Sequence, residues 1–173
     1  GMRPIFESNM RTHVVRREIE MLYGRSATGL GSFGSGVADS GTQETMTCSL
    51  ATWAVGMFAG QEGAIINFFN ASGGALISSA ADALFTLASV DPDNRKITVT
   101  GTSGGCTALH AVAAAGTVYP DFAGARTALA TYQSAEGLDY VCTVAGGTTV
   151  WNISNTNTLW KPNTYSAVSG KLT

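Results

Sequence analysis

Two periodicities divide the chain. Over residues 4–23 apolar side chains recur at helical spacing. Phe6, Met10, Val14 and Leu22 fall near one face, arginines and glutamates take the others, and Gly24 stands where a helix would be capped. The spacing predicts a helix there. From Glu44 onward Thr, Val, Ile and Phe collect in short runs separated by Gly, Asn, Asp and Pro. Strands are predicted at 45–50, 64–69, 84–90, 96–100, 118–119, 140–144 and 149–153. In VDPDNRK, Pro92 presets φ and Asp93 and Asn94 tolerate tight-turn geometry, so a hairpin is expected. NASGG and VAGGTT read as further turns. Residues 123–134 fit a second helix, and 104–115 fit either helix or strand.

Between the two regimes lies GRSATGLGSFGSGVADSGTQ, whose glycines and serines read as a linker or long surface loop. The expected organisation is therefore an N-terminal helix over 1–25, a Gly/Ser-rich linker or loop over 26–43, and a β-barrel-like domain over 44–173. The expected fold class is mainly β (α+β): a small barrel-like domain of short antiparallel strands, with the N-terminal helix and one or two short helices.

Composition narrows the functional classes. At 173 residues with 45% hydrophobic side chains, the chain can bury one real core. Only 13% of residues are charged, about half the usual share, which suits a surface that packs against other protein. A net charge of −2 offers no general attraction to nucleic acid. The charge is uneven: residues 1–25 hold Arg3, Arg11, Arg16, Arg17 and Arg25 against three acids. Apolar runs are interrupted too early to span a bilayer. Cys48, Cys106 and Cys142 are odd in number and unpaired in spacing, so reduced, buried thiols and intracellular synthesis are expected.

Several motifs carry apparent chemistry. Gly101-Thr-Ser103-Gly-Gly105 spells the G-x-S-x-G elbow that presents a nucleophilic serine between a strand and a helix. That serine needs an imidazole base, and the elbow fold places the acid and the histidine after it in the chain. Only His13 and His110 exist, no acid lies between Ser103 and His110, and no histidine follows. A glycine-rich turn leaving a hairpin strand accounts better for the spelling. Gly29-Leu-Gly31-Ser-Phe-Gly34 spells a dinucleotide fingerprint, but a predicted helix precedes it where a strand is required, so flexible linker is the better reading. Scattered His and Cys positions give no metal-ligand spacing. Trp53, Trp151 and Trp160 read as core or interface anchors. No catalytic, cofactor-binding or metal-binding residue is therefore assigned.

Five stretches taken together resemble the major capsid proteins of HK97-like tailed phages and prophages. HVVRREIEMLYG with its Gly/Ser loop resembles the segment before their inserted domain. ATWAVGMFAGQEGAIINFF, SVDPDNRKITVTG, AVAAAGTVYP and TNTLWKPNTYSAVSGKLT then follow in the shared order across residues 11–173. The resemblance implies a fragment centred on the inserted β-rich domain, with no active site. Thr117 stands where the group often carries an acid, so that strand entry is expected to differ. The implied role is shell assembly and stability, with other copies of the chain as partners and scaffold or decoration proteins as further ones. It also implies location in the virion after assembly in a bacterial cytoplasm. No small-molecule substrate or membrane is implied, and nucleic acid enters only as packaged genome. The arginine-rich helix would pair with acids on a neighbouring subunit or face the genome. Two other readings stand beside it: a serine hydrolase using Ser103, and a carbohydrate-binding or adhesin module using Trp151 or Trp160 as a stacking platform.

Overall fold

The computed structural model describes residues 2–25, 28–34, 38–71, 74–77, 82–124, 136–143, 149–150 and 153–154. The fold is mainly β with a few helices, and its centre is a closed six-stranded antiparallel barrel. In chain order the elements are α1 (Met2–Tyr23), β1 (Phe33–Gly34), β2 (Ala38–Ser40), β3 (Gln43–Cys48), β4 (Ile65–Asn70), β5 (Phe85–Asp91), β6 (Lys96–Thr100), α2 (Ser103–Ala115), β7 (Val118–Phe122), α3 (Leu138–Thr143), β8 (Thr149–Val150) and β9 (Ile153–Ser154). The ring runs β1-β7-β4-β5-β6-β3 and closes where Phe33 and Gly34 pair with Cys48 and Thr47. β2 lies on the same edge of β3, beside Glu44 and Gln43. Closure leaves no long open edge for a stray strand to join. β8 and β9 form a separate two-stranded hairpin.

Alternation explains the ring. In β3, Glu44, Met46 and Cys48 are buried and their neighbours are not, and β6 buries Ile97 and Val99 in the same rhythm. On the opposite face Thr45 and Thr98 sit across from each other and share a hydroxyl hydrogen bond of 2.8 Å. The interior is aromatic. Phe68 meets Phe85 edge-on at 5.3 Å, and Phe33 meets Phe58 at 6.0 Å. Burying each such ring stabilises the fold by about 2 kcal/mol. The VDPDNRK hairpin forms as expected. Asp91 accepts from the Asn94 backbone N–H and side-chain amide, and Arg95 takes φ +58° to turn the chain into β6.

Three sequence expectations change, and one open assignment resolves. The Gly/Ser-rich stretch contributes β1 and β2, and its Leu30 and Phe33 are fully buried. Its glycines serve close packing: at Gly29 (φ +55°) a Cβ would stand 2.3 Å from the Pro120 carbonyl oxygen. The predicted strand at 140–144 is instead part of α3. That helix docks beside the end of α1, where Arg25 pairs with Asp139 at 2.6 Å and the Gly137 N–H donates to the Gly24 carbonyl. Tertiary docking outweighs the strand preference of Val141. Residues 104–115, compatible with either state, are helical in α2. The strand expected at 118–119 continues to Phe122, through Pro120. Pro120 tolerates the sheet because its carbonyl faces the Leu30 N–H, so its missing donor falls on the edge away from β4. The helix expected at 123–134, and Trp151 and Trp160, lie outside the described residues.

α1 rests on this body through Val15, Ile19 and Tyr23, which pack against the core, and Tyr23 lies over Gly56. The guanidinium of Arg16 stacks 5.3 Å from the Phe122 ring centre. These residues recur every four along one face. Met10 and Val14, which the sequence places in the apolar stripe, lie exposed on the other side.

Candidate functional site

The local context that G-x-S-x-G requires is present: β6 ends at Thr100 and α2 begins at Ser103. Thr102 caps the helix. Its hydroxyl donates to Asp82 at 2.8 Å and accepts from the Gly105 N–H at 3.0 Å. Packing explains the flanking glycines. A Cβ on Gly101 would stand 2.9 Å from the Phe85 ring, and one on Gly105 would stand 2.4 Å from the Asp82 carbonyl oxygen. The motif's spelling therefore follows from how tightly the turn packs.

Ser103 lies exposed in the first turn of α2. His110 stands seven residues on, about 10 Å along the helix axis by helical rise. Its ring is turned toward β3, where Nδ1 lies 2.8 Å from Glu44 Oε1. Glu44 is 1% exposed and the His110 side chain 41% exposed, so a buried carboxylate orients a half-exposed imidazole. The structure thus brings His110 to an acid, with Ser103 two helical turns away from the imidazole. Sequence reasoning missed this acid because it lies 66 positions before the histidine. Cys106, one helical turn before His110, is buried. Desolvation pushes its thiol above the ordinary range; a hydrogen bond with the Gly101 backbone opposes the shift and the negative charge of Glu44 adds to it. The Glu44–His110 pair therefore ties α2 to β3.

Cys48 is similar: burial pushes its thiol up, although hydrogen bonds from Thr52 and the Ser32 backbone act the other way. Among the described residues no three His, Cys, Asp or Glu side chains cluster as metal ligands, and no helix is long and apolar enough to cross a membrane.

The other candidate is α1. On the side away from the barrel, Met10, Val14, Met21 and Leu22 line a shallow groove of about 570 Å³ with His13, Arg17 and Glu18. Met10, Val14 and Met21 are 51%, 59% and 68% exposed. A soluble domain rarely shows a contiguous apolar helix face unless something packs on it. A second cleft of about 500 Å³ lies between Arg11, Thr12, Val15 and Arg16 of α1 and the 59–64 turn. Arg11 of the basic N-terminal segment thus borders a cleft, whereas Arg17 borders the outer groove. Compared with protein-family models, curated proteins and solved structures, the chain matches none.

Proposed function

We propose that this chain is a structural assembly module: the inserted β-rich domain, with its leading helix, of an HK97-like phage or prophage major capsid protein. The observation that carries the reading is α1. Among the described side chains its Val15–Tyr23 side seats on the barrel, and its opposite side presents exposed Met10, Val14 and Met21. A closed barrel with a filled core needs no partner to fold, so an extra helix with a bare apolar face is best explained as a contact between subunits. The collinear sequence resemblance and the low charge fraction point the same way. In a shell, many weak contacts of this kind add up through closure.

The test is electron microscopy and light scattering of the complete gene product made in bacterial cytoplasm. Closed shells are expected; a protein that stays monomeric would end the reading. The serine hydrolase alternative has the strand–turn–helix context in its favour. It predicts labelling by a fluorophosphonate probe that Ser103→Ala abolishes. With His110 held by Glu44, the expected result is no labelling.

A further inference from the structure

The outer face of α1 has a definite geometry. Met10, Val14, Arg17 and Met21 follow one another at spacings of four, three and four, which is the seam of a left-handed helix pair. At 100° per residue this seam lies about 170° around the helix from Val15, Ile19 and Tyr23, the residues that face the barrel. A second helix laid along the seam would therefore keep its own barrel on the far side, and the two barrels would not collide.

The charges on the seam select the orientation. In a parallel pair each residue meets its own copy, so Arg17 would face Arg17. In an antiparallel pair centred between Val15 and Arg16, Met10 meets Met21, Val14 packs on the aliphatic stem of Arg17, and Arg11 lies beside Glu18 of the other copy on the same flank. Each contact occurs twice, as a two-fold interface requires. We propose that the outer face of α1 pairs antiparallel with α1 of a second copy of this chain, Met10 of each packing on Met21 of the other. This rests on the reading of α1 as an assembly face and names its partner and register. The seam is short, so the pairing is weak and concentration-dependent.

Sedimentation velocity of the chain over a wide concentration range reads it directly. A monomer–dimer equilibrium is expected. Met10→Asp should weaken it about tenfold or more while leaving the far-ultraviolet circular dichroism unchanged, because Met10 does not touch the core. Glu18→Lys should weaken it, and adding Arg11→Glu should restore it. Oxidation of the Met10→Cys/Met21→Cys double variant should give a covalent dimer, and Met10→Cys alone should not. The proposal is overturned by a monomer at every concentration, by association indifferent to Met10→Asp, or by cross-linking of Met10→Cys alone. Shells that form equally well from the complete gene product carrying Met10→Asp would overturn the pairing and leave the capsid reading standing. A wild-type dimer with no shells would do the reverse.

Discussion

At the residue scale, close approach decides which positions tolerate change. Gly29 combines a left-handed φ with a Cβ position 2.3 Å from the Pro120 oxygen, in the segment that leads into the barrel-closing strand. Gly29→Ala should destabilise the protein by about 2 kcal/mol or more, as strain at φ > 0 adds to a backbone clash. Chemical denaturation will show it. Cys48 gives a pH prediction. Its thiol is held protonated by burial, so its contribution to stability is present below the ordinary thiol range and is lost as pH rises through it. The unfolded thiol ionises first, and stability should fall above about pH 9. Cys48→Ser should remove part of that alkaline slope, read by urea unfolding at several pH values. In the native protein at pH 8, Ellman's reagent should spare Cys48 and Cys106, both of which are buried. The burial of Cys48 and Cys106 was legible in the odd, unpaired cysteine count, whereas Cys142 is only half-buried.

At the element scale, alternation and turn chemistry were legible and docking was not. β6 appears at its predicted bounds because LysIleThrValThr alternates cleanly and a strong turn precedes it. β1 was hidden: Leu30 and Phe33 are isolated apolar residues among glycines, and only the finished barrel gives them a core to enter. α3 was misread because Tyr140 and Val141 favour strands locally, while the Arg25–Asp139 pair and the contact of Arg25 with the Tyr140 ring exist only after folding. The Glu44–His110 tie was invisible for the same reason. It predicts that His110→Ala costs about 1–2 kcal/mol, by leaving the buried Glu44 carboxylate without its partner. Adding Glu44→Gln should recover part of the loss, since a neutral amide is cheaper to bury than a charge. If His110→Ala leaves the unfolding midpoint unchanged, α2 is held by its apolar face of Cys106, Leu109, Val112 and Ala113.

At the scale of the whole molecule, the barrel and the helix divide the work. The barrel closes its own hydrogen-bond ladder and fills its own interior. α1 is anchored by one face and presents the other. The glycines Gly101 and Gly105 beside the elbow serine, and Gly29 and Gly31 of the fingerprint, are positions where the fold packs tightly. The central claim is that assembly runs through α1 and leaves the barrel unaltered. Hydrogen–deuterium exchange on the chain, compared between dilute and concentrated solution, tests it most directly. The expected result is slower amide exchange in α1 around Met10 to Met21 on association, with the rates of β3 to β6 unchanged. Equal exchange of α1 in both conditions, or protection that appears on the barrel strands instead, would contradict it.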